Sequence, residues 1–325
     1  MRVLVTGSSG FIGTHLVSEL MKHGHEVVGA DIREPEKYPA GLSFELCNIL
    51  DGAGLRSVLD RQAPEAIVHL AAATGIDGRH VSEYATNVKG VENLVAAIRE
   101  TPSVRRGVFT SSQLVCKVGY VPSHDVDYCP DTAYGKSKVL TEQIVRASDG
   151  GGIEWTLTRP ITIWGPGMNA HYQRFFKLIM KRLYFHVGSR PLYKSYGYVG
   201  NVAHEYRTLL DAPMEQVHRE TFYLADYEAL SLRDWSDRFQ AALGAKPILT
   251  LPEPVAQLAA KAGDVINALG LRSFPFNSFR LNNILTEYRF DLVKTQQVCG
   301  ELPYTLDEGV SETVDWLRRE SIVPI

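Results

Sequence analysis

A glycine-rich turn lodged between a strand and a helix constrains this chain more than any other feature. Gly7-Ser8-Ser9-Gly10-Phe11-Ile12-Gly13 follows Arg2-Val3-Leu4-Val5-Thr6, which alternates poorly and reads as a buried parallel strand. From Gly10 to about His23 the chain carries Phe11, Ile12, Leu16, Val17, Leu20 and Met21 at helical spacing. Strand, tight turn and helix in this order make a phosphate cradle. The glycines let the turn close, bring the backbone near a pyrophosphate and let the helix pack on the strand. The helix N-terminus then offers its unpaired amides to the phosphates. A second strand, Glu26-Val27-Val28-Gly29-Ala30, ends at Asp31, 18 residues after Gly13, near the spacing of about 20 at which an acid meets an adenosine ribose. That acid favours NAD over NADP, while Arg33, two residues on, keeps a 2′-phosphate open as the alternative.

A second string, Tyr134-Gly135-Lys136-Ser137-Lys138, lies 121 residues beyond Gly13 on a segment that reads as a helix from about Ala133 to Ala147. Tyr134 and Lys138, four apart, project from one face of it. A free tyrosine is a poor base at neutral pH, its pKa being about 10. A neighbouring ammonium and an oxidised nicotinamide, both positive, favour the phenolate and move it toward the working range. Lys136 lacks that geometry and reads as a surface residue.

Composition sets outer bounds. With 325 residues, 45% hydrophobic and 22% charged, the chain can bury a large core as one large domain or two fused lobes. A net charge of −3 supplies no basic field for nucleic acid or an anionic membrane, so neither is expected as a partner. The sequence opens directly on the first strand, and a cytoplasmic location is the expectation. Cys47, Cys116, Cys129 and Cys299 show neither Cys-x-x-Cys nor metal-ligand spacing, so neither a disulfide framework nor a metal site is expected.

With both strings in place, the chain resembles the extended short-chain dehydrogenases/reductases, the NAD-dependent epimerase/dehydratase family of nucleotide-sugar modifying enzymes. The likeness covers nearly the whole chain. It continues through His69-Leu70-Ala71-Ala72, Asn87-Val88-Lys89-Gly90, Phe109-Thr110-Ser111-Ser112, Arg159-Pro160, Gly165-Pro166-Gly167 and Tyr198-Val199-Gly200-Asn201-Val202-Ala203. The resemblance implies an α/β fold: a Rossmann-type doubly wound parallel sheet with a smaller C-terminal substrate lobe. It places the NAD-binding domain at 1–165 with one return over about 198–225, and the substrate lobe at 166–197 and 226–325. It implies Ser112, Tyr134 and Lys138 as the catalytic set. Ser112 would donate to the substrate oxygen, Tyr134 would exchange its proton, and Lys138 would also hold the nicotinamide ribose. The cofactor-binding residues it implies are Gly7, Gly10, Phe11, Ile12, Gly13, Asp31, Asn48, Ile49, Leu70, Ala71, Ala72 and Asn87, together with Tyr134 and Lys138. His69 reads as a strand-end packing residue. A homodimer would form through the helices near Asn87–Glu100 and Ala133–Ala147.

Departures from the family pattern narrow the chemistry. Dehydratases of the family place an Asp-Glu pair after the active-site hydroxyl residue; Gln113 and Leu114 stand here, and neither works as an acid or base. Oxidation–reduction or epimerisation through a ketone is therefore favoured over elimination of water. Cys116 replaces a tyrosine and is a candidate to line the substrate pocket. Thr162 stands for an asparagine and Lys194 for an arginine that contact the diphosphate in relatives, and Arg280 resembles a second phosphate-binding arginine. The segment Pro254–Leu271, with Val255, Leu258, Ala259, Ala262, Val265, Ile266 and Leu269, reads as an amphipathic helix whose apolar face packs into the core, or else covers an apolar substrate. The leading reading is an NAD-dependent oxidoreductase or epimerase acting on a nucleotide-linked sugar. A 3β-hydroxysteroid-like or other apolar secondary alcohol dehydrogenase is the alternative, and a non-catalytic dinucleotide-binding redox sensor is the third.

Overall fold

The computed structural model describes residues 1–37, 39–270 and 276–323. Along the chain, β1 (Arg2–Thr6), α1 (Phe11–Lys22), β2 (Glu26–Asp31), β3 (Ser43–Leu46), α2 (Gly52–Gln62), β4 (Ala66–His69), α3 (Ala85–Arg99), β5 (Arg106–Thr110), α4 (Ala133–Ala147) and β6 (Glu154–Pro160) come first. There follow β7 (Ile163–Trp164), α5 (Ala170–Met180), β8 (Phe185–Val187), β9 (Tyr193–Lys194), β10 (Gly197–Tyr198), α6 (Val199–Asp211), α7 (Met214–Val217) and β11 (Thr221–Leu224). The last are β12 (Leu230–Ser231), α8 (Leu232–Ala242), β13 (Leu249–Leu251), α9 (Glu253–Ala268), α10 (Ser278–Leu285), α11 (Val293–Cys299) and α12 (Leu306–Arg319).

The chain forms two compact units, one of residues 1–163, 197–227 and 291–304, the other of 164–196, 228–290 and 305–325. In the first, seven strands form one sheet in the order β11-β6-β5-β4-β1-β2-β3, and its pairings are parallel. Val3, Leu4 and Val5 are fully buried, as a strand covered on both faces requires. Helices α2, α3 and α4 pack side by side, and α1 packs on α6. Strand order reverses between β1 and β4, and the ends of those strands bear the Gly7 turn and the Leu70-Ala71-Ala72 segment. Such a reversal is where α/β sheets bind dinucleotides.

The expected single return of the chain to this unit, over 198–225, is incomplete: 291–304 returns as well. There α11 packs on α6 and β11, with Thr295 Oγ1 donating to the Tyr223 carbonyl at 2.7 Å. Its seven residues are too few to display a helical period, so the sequence pattern did not announce it.

The second unit holds a parallel β8–β13 pair and an α9–α10 hairpin around Val187, Ala256, Ala260 and Leu281. Phe175, Phe176, Trp235 and Phe239 form a separate aromatic core, with ring centroids 4.7–6.4 Å apart. Helix α9 overturns the expectation of an inward apolar face. Its buried residues are Ala256, Ala260 and Gly263, whereas Val255, Leu258, Val265 and Leu269 are 50%, 72%, 60% and 80% exposed. The small residues recur at i, i+4 and i+7 and let α10 approach closely, so the longer apolar side chains face outward. Leu271, expected to end this helix, lies outside the described residues.

Candidate active site

The turn after β1 has the shape of a pyrophosphate cradle. Gly7 sits at φ +73°, and a Cβ there would lie 2.7 Å from the Ala71 amide nitrogen. A Cβ on Gly13 would stand 2.2 Å from the Gly7 carbonyl oxygen, so a side chain at either position would displace the turn. Helix α1 begins at Phe11 with no side chain capping its amides, which leaves the dipole end to a ligand. Gly10, Phe11 and Ile12 are partly exposed beside it, and Gly13 is buried. At the end of β2, the Asp31 carboxylate accepts from the Ser9 amide at 3.1 Å and the Arg33 amide at 3.2 Å. This carboxylate is thereby held against the glycine turn, where it suits a ribose diol and would repel a 2′-phosphate. These residues fit NAD.

The β4 end is fixed from below. The Leu70 amide donates to the Thr6 carbonyl at 3.0 Å and the Ala71 amide to Thr6 Oγ1 at 3.3 Å. Thr6 Oγ1 also bonds His69 Nδ1 at 2.7 Å. Burial, with the Lys138 charge second, pushes His69 down to about 3, so its ring is neutral at physiological pH. Asn87 clamps the neighbouring Ala73 by accepting from its amide at 2.8 Å and donating to its carbonyl at 3.0 Å, and it also donates to Ser137 Oγ on α4 at 2.9 Å. Ala72 is partly exposed on this segment. Asn48 is exposed and its Oδ1 accepts from the Leu50 amide at 3.0 Å. Ile49 belongs to the hydrophobic core and packs under Gly90 of α3.

Helix α4 gathers the catalytic candidates. Thr132 caps it, accepting from the Gly135 amide at 3.0 Å. Tyr134 and Lys138 are both buried. The Lys138 ammonium donates to the Thr110 carbonyl at 3.0 Å, and burial lowers its pKa to about 8, with Glu142 opposing. Two residues past Thr110, the buried Ser112 has an Oγ that accepts from the Leu114 amide at 3.1 Å. A Cβ on Gly135 would stand 2.2 Å from the Leu114 carbonyl oxygen. Without one, the first turn of α4 presses against the turn that follows Ser112. Ser112, Tyr134 and Lys138 are thus drawn to one end of one helix. Gly135 was not singled out from the sequence, although a glycine in the first turn of a helix is a legible signal.

A buried charge pair behind this face was also missed. Arg159 Nε and Nη2 donate to the two Glu142 oxygens at 2.7 and 2.8 Å. Tyr128 OH donates to Glu142 at 2.9 Å, and Arg159 donates to Tyr223 OH and the Asp125 carbonyl. The pair ties α4 and β6 to the 116–128 segment. Within that segment Cys116 is buried and its thiol donates to the Asp127 carbonyl at 3.3 Å; burial raises its pKa. Gln113 Nε2 donates to Thr162 Oγ1 at 3.1 Å, and Thr162 has φ +28°.

The second unit holds the remaining substrate candidates. Lys194 is buried, its ammonium donates to the Asn283 carbonyl at 2.6 Å and it lies over the Tyr288 ring. Burial lowers its pKa to about 8. Arg280 is exposed on α10, one turn before Asn283. Arg190, Leu192, Thr250 and Leu285 are among the residues lining an open cleft of about 480 Å³.

Comparison with known proteins places this geometry. Residues 3–225 match the model of the NAD dependent epimerase/dehydratase family. An Escherichia coli O157:H7 protein named N-acetyl-alpha-D-glucosaminyl-diphospho-ditrans,octacis-undecaprenol 4-epimerase is 27% identical over 97% of this chain and 94% of its own. A 3-beta-hydroxysteroid dehydrogenase of Mycolicibacterium neoaurum is 29% identical over 97% of this chain and 91% of its own. Among solved structures, UDP-glucuronic acid 4-epimerase from Bacillus cereus in complex with NAD superposes with a TM-score of 0.76 at 19% identity, covering 98% of this chain and 99% of that one.

Proposed function

Because the chain belongs to the NAD dependent epimerase/dehydratase family, we propose that it moves a hydride to and from a secondary alcohol carbon of a sugar carried on a diphosphate, a nucleotide-linked sugar in the first instance. The observation that carries this reading is the far end of the Tyr134–Lys138 face: a buried ammonium held on the Thr110 carbonyl, one helical turn from a buried tyrosine and joined through the chain to Ser112. NAD, when bound, supplies the hydride acceptor and, on return, the donor. In this reading the cradle of Gly7, Gly10 and Gly13 holds its pyrophosphate, Asp31 holds the adenosine ribose, and the 70–73 segment with Asn87 lines the path between them.

The protein's own groups do the proton work. Ser112 Oγ–H donates to the substrate oxygen and fixes it. Tyr134 takes the hydroxyl proton as that oxygen becomes a carbonyl and returns it in the reverse step, so an epimerase ends with no net proton or electron change. Lys138, with a pKa of about 8, remains mostly ammonium at pH 7 and favours the Tyr134 phenolate. Gln113 and Leu114 supply no acid or base for loss of water. In the second unit, Lys194 and Arg280 are the cations for a diphosphate. A homodimer through α3 and α4, working in the cytoplasm, completes the reading.

The second reading, an apolar secondary alcohol, draws on the steroid-named relative and on Lys194, one of whose donors is already given to Asn283. Purified protein with NAD, followed at 340 nm and by product analysis across UDP-, GDP- and dTDP-sugars, separates the two. NADH formation, or an epimer without net NADH, is expected. Silence on every nucleotide sugar with turnover of a hydroxysteroid would replace the first reading by the second.

A further inference from the structure

Helix α9 presents three faces. At 3.6 residues per turn, Ala256, Ala260 and Gly263 form the buried one, Gln257, Lys261 and Asp264 a polar one, and Val255, Leu258, Ala259, Ala262, Val265, Ile266 and Leu269 an apolar stripe spanning about 120°. Apart from the partly exposed Ile266, the whole stripe is exposed. Two valines, two leucines and two alanines exposed along one side of a helix form an apolar surface of the kind that marks an interaction site. The Ser278 amide donates to Asp264 at 3.1 Å, so the start of α10, with exposed Phe279 and Arg280, lies beside the second half of α9. At the other end, Leu249 begins β13 and pairs with Phe185 of β8, and Leu249 and Leu183 are also exposed.

Charge indicates what covers this surface. The net charge of −3 conceals a division: the second unit carries 15 Lys and Arg against 11 Asp and Glu, the first 19 against 26. Residues 164–196 hold six basic side chains and no acidic one. Four of them, Arg174, Lys177, Lys181 and Arg182, are exposed within the segment that leads through Leu183 into β8. Helix α9 itself carries Glu253, Lys261 and Asp264, so the attraction comes from the basic excess of the unit that bears it: two copies of a unit of like net charge repel each other, while an anionic bilayer attracts each. Among the described residues no helix is long and apolar enough to cross a membrane, and α9 has 16 residues, so the mode is interfacial: apolar stripe below the headgroups, basic residues among them.

We propose that the outer face of α9 docks the protein on the surface of an anionic phospholipid bilayer. This goes beyond the reading of the active site and does not depend on it, because docking is measured without turnover. The test is cosedimentation of the full chain with vesicles of equimolar phosphatidylglycerol and phosphatidylcholine. Binding is expected, weaker by about tenfold or more on phosphatidylcholine alone, the loss of roughly two basic contacts. Leu258→Ser/Val265→Ser and, separately, Lys181→Glu/Arg182→Glu should each release the protein from the mixed vesicles with an unchanged thermal melt. No binding to the mixed vesicles, or binding that survives both pairs of substitutions, overturns the proposal. So does a fall in molar mass of the lipid-free Leu258→Ser/Val265→Ser variant in sedimentation equilibrium, which would make the stripe a contact between copies.

Discussion

Helices α4 and α9 are both amphipathic in sequence, and each breaks the burial rule in the opposite sense. Helix α4 buries Ser137, Lys138, Thr141 and Glu142. Helix α9 buries two alanines and a glycine and turns leucines and valines to water. In α4 the buried polar atoms are paired: Lys138 with Thr110, Thr141 with the Asn87 carbonyl, Glu142 with Arg159 and Tyr128. Ordinary packing gains nothing from burying a lysine or exposing a leucine, so both helices hold positions that stability alone would not select. The pairing in α4 points inward to chemistry, and the bare stripe of α9 points outward to a surface.

Breaking the α4 side should have the largest effect. Arg159→Met strands the Glu142 carboxylate in the interior, and urea unfolding should show a loss of about 3–5 kcal/mol. Replacing both partners, Arg159→Met with Glu142→Leu, should restore most of it. Next comes Gly135→Ala, whose methyl group meets the Leu114 carbonyl; overpacking of about 1–3 kcal/mol is expected, together with a fall in kcat as the Ser112 turn shifts.

A pH series sharpens the contrast. The Lys138 pKa is lowered from 10.5 to about 8 in the folded protein, so between these values the unfolded chain binds more protons. Lys138 therefore opposes folding below pH 8 and relaxes that opposition as pH rises toward 10.5, by up to about 1.4 kcal/mol per pH unit. In parallel denaturant titrations, Lys138→Met should lack this component of the alkaline pH dependence. The smallest effect belongs to α9: Leu258→Gln should move stability by less than about 0.5 kcal/mol, and a loss of several kcal/mol would show that the stripe is core after all.

The sequence exposed much of the first unit and little of the second. The glycine turn and the Tyr134–Lys138 pair could be read because each is local, and Asp31, 22 residues from the Ser9 amide it accepts from, because a strand, glycine turn, helix and second strand in succession set where that second strand ends. The Glu142–Arg159 pair spans 17 residues and the α11 return more than 60, and neither leaves a periodic trace. In α9 the period was legible and its direction was not, since a helical wheel shows which residues share a face but not which face meets a neighbour. The stripe of Ala256, Ala260 and Gly263 was the overlooked signal. Small residues at helical spacing mark close approach, here by α10.

The most direct test of the central claim is a single turnover of NAD-loaded protein, wild type beside Tyr134→Phe, with whichever substrate the panel identifies. The variant is expected to retain NAD binding and its thermal melt while hydride transfer slows by about 10²–10⁴-fold. Transfer at the wild-type rate in Tyr134→Phe would contradict that claim.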